Sequence, residues 1–320
     1  MKKIRFGTRS SALAMEQTDM VVQALKARDP DIVPDIVTIR TSGDWSPDKG
    51  EVRLDPDKGG KGQFVSAIEN RLIDGHIDAA VHSLKDVPSI MPKNVRLDHF
   101  MPSEDPRDVF VCDTARSPDD LPKGSVIGTA SLRRQSLIKK LWPHLDVHVI
   151  RGNVQTRIDK MRQGQVDALI LAMAGLIRLN LKEEMTHILD PDEFIPCGGQ
   201  GIVAIEVMRD NHDLSKILDP LTCPGTAIRA TIERAFLKIV GGSCHSPIGI
   251  HARRDNSNKE WVISSYAGTP EADITYFHTT RASAQNLMAA ERTGADFGRA
   301  FLKKMTRQHI SHLGLTQPDQ

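Results

Sequence analysis

The sequence predicts an α/β protein of three domains: two α/β domains of similar plan, followed by a small α+β domain. The chain has 320 residues, which exceeds the ~100–200 residues of a typical domain. Short apolar runs alternate with helical patterns through the first half, which is typical of α/β architecture. Beyond about residue 220 the alternation ends, and three strand-like runs lie between two helical patterns.

The elements of the first quarter are bounded by clear signals. Ser11 is placed to cap a helix whose apolar side carries Leu13, Val21 and Leu25 at helical spacing. A stretch rich in Gly, Pro, Asp and Lys predicts a long loop. The predicted elements are, in order, a strand at Lys3–Thr8, a helix from Ser11 to about Arg28, a strand at Asp35–Arg40, a loop from Gly43 to Gly62, a helix over Phe64–Ile73 and a strand at Asp78–His82.

Two segments of the first domain are echoed later in the chain. Gly7–Ser11 and Gly128–Ser131 each join a strand, through a Gly-Thr turn, to a helix led by serine. Asp74–Val81 and Gln163–Ile170 each read as a helix end, a glycine stop and a strand. We interpret the echo as two domains of the same plan, although chance likeness between common βα units is the alternative.

The C-terminal region has a different order of predicted helices and strands. An apolar stripe at helical spacing predicts a helix that ends at Gly241-Gly242. The elements that follow are strands at Pro247–Ala252, Glu260–Tyr266 and Ile274–Thr280 and a last helix near Ala282–Thr306.

Composition excludes several classes of protein. The formal net charge is +1 and aromatic residues are 4%, so general nucleic-acid or anionic-membrane binding is not expected. No apolar run approaches the ~20 residues of a membrane span, and no signal peptide is recognisable, so we expect a cytoplasmic protein. The cysteines form no Cys-x-x-Cys pair, and the histidines lie mostly apart, so we expect neither a disulfide framework nor a metal site. The four cysteines are Cys112, Cys197, Cys223 and Cys244.

Basic residues collect where predicted strands turn into helices. In an open α/β sheet these positions meet at one edge, where helix N-termini also point their amides. Guanidinium groups hold carboxylates or phosphates through paired hydrogen bonds, so the set predicts an anion-binding cleft. Each residue taken alone also fits a solvated surface position. The set comprises Arg9, Lys61, Arg133, Arg134, Arg151 and Arg157.

The loop around Lys61 does not indicate a nucleotide. Gly59-Gly60-Lys61-Gly62 lacks the spacing of a phosphate-binding P-loop, and no Ser or Thr follows the lysine. A flexible loop and an anion-contacting loop are both open.

Asp86 and Cys244 are the two candidates for chemistry. Asp86 follows a buried strand, where it could act as a general acid/base or as a counter-ion to a cationic intermediate. The alternative is a surface ion pair with Lys85. Cys244 adjoins His245 in a glycine-rich loop, but sequence neighbours rarely form a nucleophilic pair, and a buried thiol is the plainer interpretation.

The motifs taken together resemble the porphobilinogen deaminase family. They follow the family order from residue 4 to about residue 250, and the tail after that matches poorly. The matching stretches are IRFGTRSSALA, TSGD, GGKGQF, DAAVHSLKDVP, EDPRDVFV, VIGTASLRRQ, IRGNVQTRI, DALILAMAGLIRL, GGQGIVAIE and ERAFLKIVGGSCHSPIG.

The resemblance implies an enzyme, a transferase of porphyrin biosynthesis. Four porphobilinogen molecules would be deaminated and joined head to tail, and the linear tetrapyrrole hydroxymethylbilane would then be released. The family grows this chain on a dipyrromethane cofactor bound as a thioether, which by position falls on Cys244. The catalytic aspartate falls on Asp86, which would assist loss of ammonia and stabilise the resulting cation.

The resemblance also implies the remaining contacts. The cofactor-binding positions fall on Ser83, Lys85, Asp86, Thr129, Ser131, Arg133, Arg134 and Gly152. The substrate-binding positions fall on Arg9, Ser11, Lys61, Phe64, Arg151, Arg157, Arg178 and Gln200.

The family fold implies a specific domain division. The first two domains would resemble type II periplasmic binding proteins, and the protein would be a monomer whose only partner is its small-molecule substrate. The implied division is domain 1 at 1–102 and 201–219, domain 2 at 103–200 and domain 3, which carries the cofactor loop, at 220–320.

Three other hypotheses about the function remain compatible with the sequence. A non-enzymatic anion-binding protein could use the same two-domain plan. A Cys/His acyl-transfer or hydrolytic enzyme would need Cys244 to be a free thiol, and an inactive relative would retain only the fold.

Overall fold

The computed structural model describes residues 2–41, 50–53, 62–241 and 246–316. Thirteen strands in these ranges form three sheets, and nine α-helices pack against them. None of the helices in the described ranges is both long and apolar enough to cross a bilayer.

The secondary structure is given in chain order. The strands are β1 (Lys2–Arg9), β2 (Ile32–Ile39), β3 (Ala79–Ser83), β4 (Val95–Phe100), β5 (Asp108–Val111), β6 (Val126–Gly128), β7 (Asp146–His148), β8 (Ala168–Ala172), β9 (His187–Ile188), β10 (Val203–Met208), β11 (Ile248–Asp255), β12 (Glu260–Gly268) and β13 (Thr275–Ala282). The helices are α1 (Ala12–Lys26), α2 (Gly62–Ile73), α3 (Leu132–Leu141), α4 (Val154–Arg162), α5 (Met173–Arg178), α6 (His212–Leu218), α7 (Pro224–Val240), α8 (Leu287–Leu302) and α9 (Arg307–His312).

The first two sheets share one topology. Their strand orders are β2-β1-β3-β10-β4 and β7-β6-β8-β5-β9. In each sheet the first three strands run parallel and the fourth is antiparallel to the third. The predicted fold class is confirmed: two α/β sheets of one plan, and a small sheet with helices at the C-terminus.

The likeness between the first two sheets includes one side-chain hydrogen bond at equivalent positions. The Asp78 carboxylate accepts from the Arg5 amide at 2.7 Å before β3, and the Asp167 carboxylate accepts from the Val126 amide at 2.7 Å before β8. The glycines that stop the preceding helices, Gly75 and Gly164, both have positive φ, at +71° and +78°. The helix-end, glycine and strand units seen in the sequence are therefore equivalent in structure.

Two crossover segments connect the first and second sheets. The chain leaves the first sheet after β4 and returns to it as β10, between β3 and β4. The segments touch where the Glu104 amide donates to the Gly201 carbonyl at 3.0 Å. Gly201 has φ +86°, and a Cβ there would collide with the Glu104 carbonyl, so glycine is required at this crossing.

The third sheet is an antiparallel meander of β11, β12 and β13 covered by α7 and α8. Its core is built around Phe236, whose ring lies 5.5 Å from that of Phe297 and 5.6 Å from that of Phe301. The predicted start of the last helix at Ala282 is wrong, because that residue ends β13 and α8 begins at Leu287 after an Asn286 cap.

Candidate active site

A cleft of about 630 Å³ opens between the first and second sheets. It is lined at the carboxyl ends of parallel strands: Arg9 ends β1, Ser83 ends β3, and Ala130 follows β6. This edge is where open α/β sheets bind ligands. The cleft is of the size that holds small organic ligands, about 300–1,000 Å³.

Three of the helices that begin at this cleft have side-chain caps. Ser11 accepts from the Ala14 amide at 3.3 Å, Ser131 from the Arg134 amide at 3.4 Å and Asn153 from the Thr156 amide at 2.8 Å. The caps hold the first turns of α1, α3 and α4 in place. Their free amides and positive dipole ends favour an anion in the cleft.

Asp108 is the anchor of two predicted cofactor ligands. Its carboxylate accepts from Arg133 Nη2 and from Arg134 Nη2, each at 2.7 Å, and is fully buried. Burial would raise the pKa of Asp108, but the two guanidinium groups outweigh it and hold the pKa at about 2. Both arginines line the cleft, and their remaining bonds run to the carbonyls of Ile195 and Ile170.

Gln200 ties this anchor to the first sheet. Its Nε2 donates to Asp108 Oδ1 at 3.0 Å and to the Pro106 carbonyl at 2.6 Å. Its Oε1 accepts from Lys85 Nζ at 3.4 Å. Gln200 was expected to contact substrate; the structure places it at the cleft wall, 1% exposed, with its amide engaged on both sides.

A second cationic group lies on the α4 side of the cleft. Arg157 Nε donates to the Gly152 carbonyl at 2.8 Å, and Arg151 Nη1 donates to the Val52 carbonyl at 3.0 Å. Desolvation and the charges of Arg134 and Arg151 lower the pKa of Arg157 to about 10. Three guanidinium groups that repel one another across a cleft favour a bound anion.

Lys85 and Asp86 lie in a single turn of 3-10 helix, Leu84–Asp86, directly after β3. Ser83 fixes the start of this turn through reciprocal bonds with the Gln17 amide at 2.8 and 2.9 Å. Asp86 lines the cleft and its charge acts on Arg157 across it. The turn therefore presents a carboxylate to the ring of cations.

The other predicted residues fall into two groups. Arg178 lines the cleft and donates through Nη2 to the Gly201 carbonyl at 2.6 Å, and Thr129 supports the β6–α3 turn by accepting from the Ser131 amide at 3.2 Å. Lys61 and Cys244 lie outside the described residues. Phe64 lies in α2, but its side chain is not among those described.

Sequence reasoning missed three residues of this site. Arg53 and Asn153 line the cleft, and Asp108 lies behind it. A buried acid at the head of the apolar run Asp108–Val111 was a usable signal, because such a charge needs a cationic partner. Arg53 gave no signal, since it lies in a stretch that predicts only loop.

The charge of the cleft fits a polycarboxylate. Among the described residues it is lined by seven arginines and one lysine, against one carboxylate, Asp86. A dipyrromethane with acetate and propionate side chains carries carboxylates on both rings, and guanidinium forks bind such groups well. The donor set therefore fits that cofactor.

The comparisons with known proteins agree with this chemistry. The family described as porphobilinogen deaminase, dipyromethane cofactor binding domain, matches residues 4–216, and the porphobilinogen deaminase C-terminal domain matches residues 227–305. A porphobilinogen deaminase from Nitrobacter hamburgensis is 45% identical over 298 residues, 92% of this chain and 90% of the relative. One from Rickettsia bellii is 42% identical over 283 residues, 87% of this chain and 92% of the relative.

A weaker likeness exists among solved structures. The methionine binding protein MetQ aligns with 70% of this chain and 91% of its own, at 12% identity and a TM-score of 0.44. The family matches span both the cleft-forming sheets and the C-terminal sheet, so the expectation that the tail after residue 250 matches poorly is wrong as far as residue 305. On that coverage and on the identity of its relatives, this chain belongs to the porphobilinogen deaminase family.

Proposed function

We propose that this chain is a hydroxymethylbilane synthase that deaminates four porphobilinogen molecules, joins them head to tail on a dipyrromethane cofactor, and releases the linear tetrapyrrole by hydrolysis. The observation that carries the proposal is the charge of the cleft, with eight cationic side chains against Asp86 among the described residues. Each porphobilinogen brings an acetate and a propionate. Six linked rings would carry twelve carboxylates, and their mutual repulsion requires fixed cations.

Asp86 is the proposed catalytic residue. As ammonia leaves porphobilinogen, positive charge develops on the pyrrole and its exocyclic carbon. A carboxylate held by the 84–86 turn would stabilise that charge through the pyrrole N–H. It would also help to remove the proton from the ring carbon that forms the new bond.

The cationic residues divide into two proposed roles. Those anchored by Asp108, together with Lys85 and the β6–α3 turn, would hold the cofactor carboxylates, and those of the α4 side would hold the incoming substrate. The proposed cofactor-binding set is Ser83, Lys85, Asp86, Thr129, Ser131, Arg133, Arg134 and Gly152. The proposed substrate-binding set is Arg9, Ser11, Lys61, Phe64, Arg151, Arg157, Arg178 and Gln200.

Cys244 is the proposed point of attachment. It follows α7, in a segment outside the described residues, at the position where the family motif carries its thioether cysteine. The bound cofactor would supply a nucleophilic pyrrole carbon to which the first substrate is added. The chain's own task is to orient that carbon and to neutralise the carboxylates around it.

We further propose that the protein is a cytoplasmic monomer divided at 1–102 with 201–219, 103–200 and 220–320. The crossover at Gly201 and the placement of β10 in the first sheet support that division. The near-neutral net charge of +1 supports a protein whose cationic demand is local to the cleft.

Arg157→Met tests the proposed function at a residue whose loss need not harm the fold. Removing one carboxylate contact costs about 1.5–3 kcal/mol, so we expect KM for porphobilinogen to rise about 10–100-fold. The stability should change little, because relief of desolvation and of the repulsion from Arg134 and Arg151 offsets the lost hydrogen bond to the Gly152 carbonyl. Steady-state kinetics of ammonia release and tetrapyrrole formation, with urea unfolding beside them, measure both.

Arg162→Met is the matched control on the same helix. Its guanidinium is exposed and pairs with Glu184 at 2.7 Å, away from the cleft, so KM should not change. An unchanged KM in Arg157→Met, or no ammonia release by the native chain, would contradict the proposal and favour a binding protein.

A further inference from the structure

Three titratable side chains that the proposed reaction does not use are buried together behind β3. They are His82 on β3, Glu206 on β10 and Glu69 on α2, with 5%, 0% and 8% of their surface exposed. Carboxylates are rarely buried without cationic partners. Two of them beside one histidine therefore require an explanation.

The cluster of His82, Glu206 and Glu69 contains one hydrogen bond, and two of its carboxylate oxygens lack a donor among the described residues. His82 Nε2 lies 2.9 Å from Glu206 Oε2, across the antiparallel pairing of β3 and β10. The carboxyl groups of Glu69 and Glu206 are in hydrogen-bonding contact, yet Oε1 of each lacks a donor among the described residues. An ionised carboxylate can only accept, so two of them in contact leave both oxygens unsatisfied. A proton on one carboxyl group turns this contact into a hydrogen bond.

The cluster lies directly behind the turn Leu84–Asp86, which carries the proposed catalytic residue. His82 precedes Ser83, and both line a side chamber of about 80 Å³ that also contacts Asp86. Val65 of α2 closes the same chamber. The contact between Glu69 and Glu206 therefore fixes α2 over the strand that delivers Lys85 and Asp86.

We propose that Glu69 is protonated and donates to Glu206, and that the chain Glu69–Glu206–His82 positions the turn that carries Lys85 and Asp86. These three are positioning residues that act through Asp86. Loss of the proton places two negative charges in contact and loosens α2 from the sheet.

The surrounding charges are consistent with this assignment. The guanidinium of Arg234 on α7 interacts electrostatically with Glu206 and donates to the Pro88 carbonyl at 3.0 Å. On the neighbouring strands, Arg5 pairs with Asp78 and His99 faces Asp219. Lys85 and Asp86 line the side chamber together with Val65 and Ile68 of α2.

The expected pH dependence has a definite sign. Burial, followed by the charge of Glu206, raises the pKa of Glu69 from 4.5 to about 7, although His82 opposes the shift. A raised pKa in the folded state means that the proton stabilises the fold. The stabilisation is complete below pH 4.5, declines as pH rises, and is lost above about pH 7.

Glu69→Gln tests the proposal, because an amide donates to Glu206 at every pH. The thermal midpoint of the native chain should fall relative to that of Glu69→Gln between pH 4.5 and about 7. The infrared carbonyl band of a protonated carboxyl group should be present in the native chain and absent from the variant. The alkaline decline of kcat/KM near pH 7 should also be absent from the variant. Glu16→Gln, at an exposed position on α1, is the control that should change none of these.

The native chain alone provides a second test, which does not depend on the variant folding. Amide exchange in 79–86, corrected for its intrinsic pH dependence, should rise through the same range, whereas exchange in β8, the equivalent strand of the second sheet, should not. Parallel thermal titrations of native chain and variant, or an infrared band that survives in Glu69→Gln, would overturn the proposal.

The kinetic readout alone rests on the proposed function. Suppose that the carboxyl band disappears in Glu69→Gln but the native chain releases no ammonia from porphobilinogen. The protonation of Glu69 would then stand, and the proposed function would be refuted. If the native chain is active but Glu69→Gln shows the same alkaline decline of kcat/KM, the positioning role would be refuted and the proposed function would stand.

Discussion

Asp86→Asn should lower kcat by about 10²–10⁴-fold, the range for loss of a positioned acid/base group. The amide keeps the size of the side chain but cannot carry the negative charge that a developing cation requires. Substrate binding should persist, because the cations of the cleft are unchanged and Asp86 contributes the one opposing charge among the described lining residues. Ammonia release under single-turnover conditions measures the chemical step, and equilibrium binding of porphobilinogen measures the affinity for substrate.

Asp35→Asn is the control for this substitution. Asp35 lies on β2 and pairs with Lys3 at the surface, at 2.9 Å, so a general effect of removing one negative charge would appear there too. A kcat within a few-fold of the native value in Asp86→Asn would remove Asp86 from the catalytic role.

Asp108→Asn should produce the largest loss of stability, about 3–5 kcal/mol of the free energy of unfolding. The substitution leaves the guanidinium groups of Arg133 and Arg134 buried without their shared counter-charge. Asparagine keeps one acceptor oxygen, but in either orientation its amide nitrogen would face a guanidinium donor. Since the same arginines are proposed to hold the cofactor, the fraction of chains that carry it should fall as well. Urea unfolding gives the stability, and the mass of the denatured protein gives the loading.

The pH dependence separates the charge of Asp108 from its packing. Its pKa is lowered from 3.8 to about 2 in the folded state, so the stability it contributes is present above pH 3.8 and is lost as pH falls toward about 2. The deficit of Asp108→Asn should therefore shrink over that acid range. Asp146→Asn, which removes an exposed partner of Lys139, should cost only about 0–1 kcal/mol. A similar small cost in Asp108→Asn would show that the arginines do not depend on it.

Local sequence signals predicted the parts of the fold that local physics determines. The Ser11 cap and the apolar stripe of α1 were read correctly, because both are set within a few residues. The echo between the two halves was also correct. The strand at 108–111 was missed, since its apolar run is only three residues long and follows a proline-containing segment. Its sheet is completed by β8 and β9, which lie far along the chain.

From local pattern alone, the site was predicted only where its residues lie at strand ends, and the other positions came from the family resemblance. Arg9 and Arg134 could be placed at the cleft because parallel strands end at a common edge. The role of Gln200 could not be derived from local pattern, because its partners Lys85 and Asp108 are brought to it by the crossover of the chain. The pairing of Glu69 with Glu206 has the same origin: 137 positions separate the residues in the sequence, and only the return of β10 to the first sheet joins them.

The intact mass of the denatured protein, measured beside that of Cys244→Ser, tests the central claim most directly. The native chain should exceed its sequence mass by two linked pyrrole units, and Cys244→Ser should show no excess. Incubation with porphobilinogen before denaturation should give further additions on the native chain alone. A native chain that stays at its sequence mass after that incubation, with Cys244 free to alkylation, would contradict both the cofactor attachment and the proposed reaction.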